Sequence, residues 1–132
     1  MDAIQNKQIV QFICSEMAKA NYQPFLDHLA DDVHWTITGT TAWSKTYAGK
    51  QSVLNDLLAP LRAQFANPYT STANRIIAED DLVVVERRGF VNTKAGKPYN
   101  NKYCFIYRMA GGKIIEITEY LDTALVNEVL TH

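Results

Sequence analysis

The chain has 132 residues, with 13 Lys and Arg against 14 Asp and Glu and a formal net charge of −1. That length is typical of one domain built on one hydrophobic core, so we expect a single domain over residues 1–132. The near-balanced charge argues against a nucleic-acid surface or a polybasic membrane patch. Because there is no apolar run of about 18 residues and no leader pattern at the N-terminus, we expect a cytoplasmic protein without a membrane partner.

The N-terminal part of the chain predicts two helices. Ile9, Ile13 and Met17 recur every four residues after Asp2, a suitable N-cap. The segment NYQPFLDHLADDV predicts a second, short helix with Pro24 in its first turn, ended by the acidic pair 31–32. Next, VHWTIT is short, β-branched and aromatic, which favours a strand, and GTTAWSKTYAG favours a loop.

A third helix is predicted from Lys50 onward. Its apolar residues recur at spacings of three and four, Pro60 should bend or interrupt it, and Pro68 should close it. The rest of the chain predicts an antiparallel meander of four strands, YTSTANRIIAE, LVVVERRGFVN, NNKYCFIYRM and KIIEITEYL, separated by turn sequences. DTALVNEVL then favours a short C-terminal helix capped by Asp122.

This order of elements predicts the fold class. The N-terminal helices can bury their apolar faces only against the concave side of a bent sheet. We therefore expect an α+β, cone-shaped domain in which a strongly curved antiparallel sheet wraps around three N-terminal helices.

The whole chain resembles the nuclear transport factor 2-like superfamily, in particular its SnoaL-like polyketide cyclase and ketosteroid isomerase branch. The resemblance lies in YQPFLDHLADDVHWTITG, YAGKQSVLNDLLAPL and YNNKYCFIYRMAGGKIIEITEYLDTAL, in that order and spacing. It implies the cone fold and a pocket for a small hydrophobic molecule. The superfamily includes both enzymes and binding proteins, so the activity must be argued from the site.

Carried over residue by residue, the resemblance implies an incomplete catalytic set. Counting back from Gly39, the general-base aspartate of the isomerases falls on Thr36, which the resemblance makes a pocket residue but whose hydroxyl cannot take a proton from carbon as a carboxylate does. The arginine and two acids of limonene-epoxide-hydrolase-like members fall on Arg87, Gly89 and Glu119. Glu119 and Arg87 are thus the candidate catalytic residues.

Strand alternation predicts which way Glu119 points. Ile115, Ile117, Glu119 and Leu121 should share one face of the last strand, and this face is the more apolar one. An acid at the end of an apolar face either reaches into the pocket, with its pKa raised unless Arg87 pairs with it, or lies at a rim in water. We also take Ile117 as a pocket residue.

The neighbouring strand has two possible registers, because the turn at Ala110-Gly111-Gly112 can be read in two ways. A two-residue loop sets Met109 opposite Ile114 and Tyr103 opposite Tyr120, giving an aromatic convex face. A three-residue loop with a bulge sets Tyr103 opposite Glu119, so that Tyr103 and Asn101 become hydrogen-bond donors in the pocket.

The remaining candidates are aromatic residues and histidines. Trp35, Tyr47 and Trp43 are expected to line the pocket, although large aromatics are also common core residues and Trp43 lies on a loop that either forms a lid or packs over the sheet end. His28, His34 and His132 lack metal-ligand spacing, and no nucleotide-binding motif occurs. We expect neither a metal nor a cofactor.

Two functions fit these observations. One is a cofactor-free enzyme, an isomerase, cyclase or hydrolase acting on a hydrophobic carbonyl compound by acid/base chemistry. The other is a non-catalytic dimeric binding domain for a hydrophobic ligand. In both cases we expect a homodimer formed through the convex face of the sheet, which the helices leave uncovered.

Overall fold

The computed structural model describes residues 1–132 as one α+β domain. Its helices are α1 (Ala3–Met17), α2 (Gln23–Asp27), α3 (Lys50–Ser52), α4 (Ala59–Arg62) and α5 (Thr123–Val129), and a π-helical stretch, Val53–Leu58, joins α3 to α4. Its strands are β1 (Leu29–Ile37), β2 (Thr46–Ala48), β3 (Thr70–Glu79), β4 (Leu82–Phe90), β5 (Lys102–Ala110) and β6 (Lys113–Leu121).

The six strands form one curved, unclosed sheet in the order β2-β1-β6-β5-β4-β3. The predicted meander of β3 to β6 is confirmed, with antiparallel pairing throughout. The pairing of β1 with β6 is parallel, and it brings the first long strand beside the last. The cone-shaped α+β class is confirmed, with this one parallel pair inside it.

Local sequence accounts for the ends of α1 and α5. Asp2 and Gln5 form a capping box, in which each side chain accepts a hydrogen bond from the other residue's backbone N–H. Asp122 accepts hydrogen bonds from the N–H groups of Ala124 and Leu125 at the start of α5. Both predicted caps are therefore present.

The second helix is shorter than predicted, and β1 is longer. α2 ends at Asp27, and β1 begins at Leu29 and includes the acidic pair 31–32 that was expected to end the helix. Backbone pairing explains the difference, because Ile114 on β6 donates its N–H to the carbonyl of His28 and draws this segment into the sheet. The acidic residues point outward on β1, where water solvates them.

Two further elements differ from the sequence prediction. The predicted loop contains β2, where Tyr47 pairs with Trp35 of β1. The predicted third helix changes its hydrogen bonding just before Pro60, where the N–H of Ala59 bonds to the carbonyl of Leu54, five residues back. Because proline has no N–H to donate to the carbonyl four positions earlier, the α-helix would already lack one hydrogen bond here. A wider turn before Pro60 therefore loses fewer hydrogen bonds than it would elsewhere in a helix.

The core lies between the concave face of the sheet and the helices. Val10, Ile13 and Met17 of α1 are buried against β3 and β4, and Val53 and Leu57 of the π-helical stretch are buried as well. No helix of the protein is both long enough and apolar enough to cross a membrane.

We predict that Asp122→Ala lowers the free energy of unfolding by about 1 kcal/mol, because the first turn of α5 loses the side chain that satisfies two N–H groups. Urea unfolding measures the change. Glu128→Ala, at an exposed position of the same helix, is the control. Equal unfolding midpoints for the two variants would contradict the capping role.

Candidate functional site

A pocket opens inside the cone, between the concave face of the sheet and the helices. Its wall is almost entirely apolar, and the charged side chains on it are Arg87, Arg62 and Glu119. The aromatic part of the wall comprises Tyr22, Phe25, Trp35, Trp43, Phe65, Tyr69, Tyr99, Tyr103 and Phe105. This arrangement is typical of a site for a small, largely hydrophobic molecule with a few polar groups.

Glu119 points into this pocket and is only 6% exposed. Trp35 lies on the adjacent strand β1, and its indole N–H donates a 2.8 Å hydrogen bond to Oε1 of Glu119. Burial raises the pKa of Glu119 to about 7, and the Trp35 hydrogen bond and the charge of Arg87 oppose this rise. A carboxyl group with this pKa can both accept and donate a proton near neutral pH.

Arg87 is also buried, at 6% exposure, and lines the same pocket. Its guanidinium carbon lies 4.1 Å from the ring centroid of Phe105, in a cation–π contact, and one terminal nitrogen contacts the sulfur of Met17. Its Nε has no hydrogen-bond partner, and no carboxylate lies within ion-pair distance of it.

Strand pairing explains why Arg87 and Glu119 do not meet. Glu119 of β6 is paired with Phe105 of β5, and Arg87 of β4 is paired with Tyr103 of β5. Because β5 lies between their strands, the two backbones are roughly 10 Å apart, or two strand spacings. The carboxyl group and the guanidinium nevertheless face one pocket, and the guanidinium lies over the Phe105 ring.

Three tyrosines line the same pocket as the guanidinium. Tyr103 lines the pocket beside Tyr69 and Tyr99, and burial raises the pKa of each of these hydroxyl groups, so they remain neutral donors at neutral pH. Gly89 makes room for Tyr69, because a Cβ at that position would clash with the Tyr69 hydroxyl oxygen. The position of the second acid in the resemblance is thus filled by the Tyr69 ring.

The register of β5 and β6 follows neither of the two predicted alternatives in full. The loop has two residues and Met109 pairs with Ile114, as in the first alternative, but a bulge then shifts the register and Tyr103 pairs with Leu121. The bulge lies around Ile115, so Ile114 is fully buried together with Ile117, and Ile115, which strand alternation predicted to share the face of Ile117, is only partly buried. A bulge adds one residue to one strand, and this reverses the faces beyond it.

Consequently Tyr103 points into the pocket, as in the second alternative, and the convex aromatic face of the first alternative does not form. Phe105 and Tyr107 are buried on the concave side. Tyr120, at 49% exposure, is the aromatic residue of β6 that stays outside.

Four predicted pocket residues lie elsewhere. Thr36 is on the outer face of β1, where its hydroxyl bonds to that of Thr46, and its neighbours Trp35 and Ile37 line the pocket instead. Ile117 and Tyr47 are core residues outside the lining, and the Tyr47 hydroxyl donates to the carbonyl of Trp43. Alternation along β1 explains the error for Thr36, since the count from Gly39 selected the outward member of the pair.

Asn101, the fourth, is a structural residue. Its amide nitrogen donates to the Tyr99 hydroxyl and to the carbonyl of Asp122, and its oxygen accepts from the N–H groups of Lys102 and Asp122. All four hydrogen-bonding positions of the amide are therefore occupied, and none is left for a ligand. Asn101 instead orients Tyr99 and joins the start of β5 to the end of β6.

The sequence prediction missed Tyr22, Tyr69 and Tyr99 as pocket residues. Each lies in a connection or at its edge, where periodicity assigns no face. A signal existed for Tyr69, because Gly89 is a glycine in a strand, which often marks a close approach by another group.

The C-terminal residues close one side of the pocket. Val126 and Leu130 line it, and Trp43 of the loop before β2 stacks edge-on against His132, with 4.8 Å between the ring centroids. Thr131 is held by Gln64, whose side chain donates to its carbonyl and accepts from its N–H. The loop with Trp43 thus packs against the C-terminal segment.

Comparison with known proteins agrees with this fold. The SnoaL-like domain model matches residues 10–117, and the chain belongs to that family. A search of curated proteins finds no match. Among solved structures, the chain is similar to an NTF2-like protein of unknown function from Burkholderia pseudomallei, with 20% identity, a TM-score of 0.80, and 96% of this chain and 98% of that chain covered.

Two other similar structures have more specific descriptions. A protein assigned as a SnoaL-like polyketide cyclase, from Jannaschia sp. CCS1, has 16% identity and a TM-score of 0.77, with 96% of this chain and 92% of that chain covered. TerC, co-crystallised with polyporic acid, has 18% identity and a TM-score of 0.77, with 94% and 96% covered. At these identities the likeness shows the fold.

We predict that Glu119 makes stability depend on pH. Its pKa is raised from 4.5 to about 7 in the folded state, so the folded protein holds the proton more tightly than the unfolded chain. The contribution is therefore favourable at low pH and is lost as the pH rises through 7, a loss of about 3 kcal/mol from about pH 4 to about pH 8. Urea unfolding at both pH values measures this loss. It is the change in the free energy of unfolding of the wild type between the two pH values, minus the same change for Glu119→Gln.

Glu116→Gln is the matched control, because Glu116 lies on the same strand and faces solvent. It should keep the pH dependence of the wild type. If Glu119→Gln also keeps it, the carboxyl group does not titrate near neutrality.

Proposed function

We propose that this SnoaL-like protein is a cofactor-free acid/base enzyme for a small hydrophobic carbonyl compound, with Glu119 as the group that moves the proton. The observation that carries the proposal is a buried carboxyl group with a pKa near 7 on the wall of an apolar pocket. Strongly shifted carboxyl groups in pockets are typical of catalytic sites.

The arrangement supports proton transfer next to a carbonyl group. The Glu119 carboxylate would take a proton from the carbon beside the carbonyl and become a carboxylic acid, while the substrate becomes an enolate. Arg87 and the neutral hydroxyl of Tyr103 are the cation and donor available to stabilise the enolate oxygen. Return of the proton to another carbon gives an isomerase, and attack of the enolate carbon on a second carbonyl gives a cyclase.

The hydrogen bond from Trp35 determines which oxygen of the Glu119 carboxyl group can exchange a proton with a ligand. The indole N–H is bonded to Oε1 of Glu119, so Oε2 is the oxygen free to exchange a proton with a ligand. The hydrogen bond also favours the charged form, which keeps the pKa near neutrality despite full burial.

A second candidate function is a non-catalytic binding domain for a hydrophobic ligand. It is favoured by the absence of a second acid in the pocket. Glu119 is the only carboxylate on the pocket wall, and the Tyr69 ring occupies the space next to Gly89. Hydrolysis assisted by two acids is therefore the least supported of the enzyme activities. The proton-transfer reactions need only one carboxylate.

We predict that the protein accelerates hydrogen–deuterium exchange at carbons next to the carbonyl group in at least one of a panel of hydrophobic ketones, measured by proton NMR in deuterated buffer. Glu119→Gln should lower this rate by about a hundredfold or more, because the amide keeps the volume but cannot accept the proton. Arg87→Lys should also lower it, since an ammonium group lacks the planar fork of the guanidinium.

Glu116→Gln is again the control and should exchange at the wild-type rate. Equal rates for wild type and Glu119→Gln, or no acceleration by the wild type across the panel, would favour the binding domain over the enzyme.

We also propose that the protein is a homodimer formed through the outer face of the sheet. A row of β-branched side chains crosses that face at paired positions, namely Ile77, Val84, Ile106, Thr118 and Thr36. The charged side chains of Arg75 with Glu86, and of Arg108 with Asp81 and Glu116, lie on either side of this row. An apolar strip with a charged rim is typical of an interface.

Ile106→Glu should convert a dimer into a monomer at micromolar concentration, because the charge would be buried at the centre of the strip. Light scattering coupled to gel filtration measures the mass. Lys102→Glu, an exposed position of the same strand, is the control. A monomeric wild type would contradict this assembly.

A further inference from the structure

The pocket contains a buried cation without a counter-anion. Arg87 is 6% exposed, its Nε has no hydrogen-bond partner, and no carboxylate lies within ion-pair distance of it. A guanidinium stays protonated at any physiological pH, and an unpaired buried charge is costly. Buried charges in folded proteins are generally paired, so this one lacks the partner that such a site normally has.

The protein itself supplies only weak substitutes for that partner. The Phe105 ring covers one face of the guanidinium, and the Met17 sulfur contacts one terminal nitrogen. Glu119 lies on β6, two strands away from Arg87, its Oε1 accepts the Trp35 hydrogen bond, and no ion pair forms between the two groups.

A second arginine lies at the pocket mouth. The guanidinium of Arg62 stacks on the Tyr22 ring, 5.1 Å from its centroid, and no carboxylate pairs with it. The charged groups on the pocket wall are thus two arginines and one glutamate, a net charge of +1 that becomes +2 when Glu119 is protonated. The field of the pocket favours entry of an anion.

We propose that the substrate of this pocket is an organic acid, a flat unsaturated or aromatic molecule whose anionic oxygen binds the Arg87 guanidinium. This rests on the proposed function, in which the same pocket binds a carbonyl compound, and it specifies that the compound carries an acidic group. A carboxylate matches the guanidinium fork with two parallel hydrogen bonds. The aromatic walls at Trp35, Phe105 and Tyr99 accommodate the flat remainder.

Binding of an anion should be coupled to protonation of Glu119. A negative charge in the same apolar pocket disfavours the carboxylate, so binding of the acid raises the protonated fraction of Glu119, and the remaining carboxylate fraction is the base of the proposed reaction. The other titratable groups around the pocket have pKa values raised by burial and stay neutral: Cys14, Tyr22, Tyr47, Tyr69, Tyr99, Tyr103 and Tyr107. Both Arg62 and Arg87 stay charged, and the imidazole of His132, which contacts Trp43 edge-on, also lies near the pocket.

Isothermal titration calorimetry tests the proposal with matched pairs of probes: benzoate, cinnamate and naphthoate, each against its neutral primary amide. We expect at least one acid to bind at least tenfold more tightly than its amide. Arg87→Met should remove that preference, and Arg88→Met should keep it, because Arg88 is the next residue and stacks on Phe90 on the outer face.

Arg87→Met should also unfold at the same temperature as the wild type or at a higher one, since an unpaired buried charge has been replaced by an apolar chain. If that variant does not fold, Arg87→Lys serves instead, and its preference for the acid should be clearly reduced. The proposal is overturned if the amides bind as tightly as the acids, if no acid binds at millimolar concentration, or if the preference survives in the Arg87 variant.

Calorimetry near neutral pH in buffers of different ionisation enthalpy measures proton uptake. The wild type and His132→Gln should take up protons on binding the acid, and Glu119→Gln should not; equal uptake in Glu119→Gln would exclude the coupling. Because these experiments measure binding without turnover, they are independent of the proposed catalysis. If the preference for acids depends on Arg87 but the exchange assay shows no acceleration, the protein binds organic acids without catalysing proton transfer.

Discussion

Burial of the Glu119 carboxyl group inside the cone is the constraint on which the site depends. The parallel pairing of β1 with β6 sets Trp35 beside the last strand, and the indole N–H then supplies the one hydrogen bond that the carboxyl group of Glu119 receives from the protein. A single hydrogen bond only partly replaces the hydration of a carboxylate, so the protonated and charged forms become nearly equal in free energy at neutral pH. The fold itself thus sets the acidity of the site.

The charge of Arg87 acts on this carboxyl group only from a distance. β5 separates the two strands, and the Phe105 ring lies beneath the guanidinium. A direct ion pair would lower the pKa of Glu119 and neutralise both groups. Keeping them apart costs stability, but it leaves a proton-transfer group and an oxygen-binding group both available to one ligand. Such a cost is typical of functional sites.

Much of the fold could be predicted from sequence, and the site only in part. Strand alternation in β6 correctly indicated that Glu119 shares a face with Ile117, and turn chemistry gave the meander. The bulge at Ile115 could not be predicted, because it depends on how β6 fits both β5 and β1, and so the position of Tyr103 stayed open. Alternation from Tyr103 made Asn101 a candidate pocket donor, and its structural role could not be predicted because its partners at Asp122 are distant in sequence.

The most direct test of this account is the titration of the Glu119 side chain by carbon NMR with selectively labelled glutamate, using Glu119→Gln to assign the signal. The account predicts a pKa of about 7 in the wild type. It also predicts a higher pKa in Trp35→Phe, which loses the hydrogen bond to the carboxylate. A wild-type pKa near the ordinary value of 4.5, unchanged in Trp35→Phe, would contradict it.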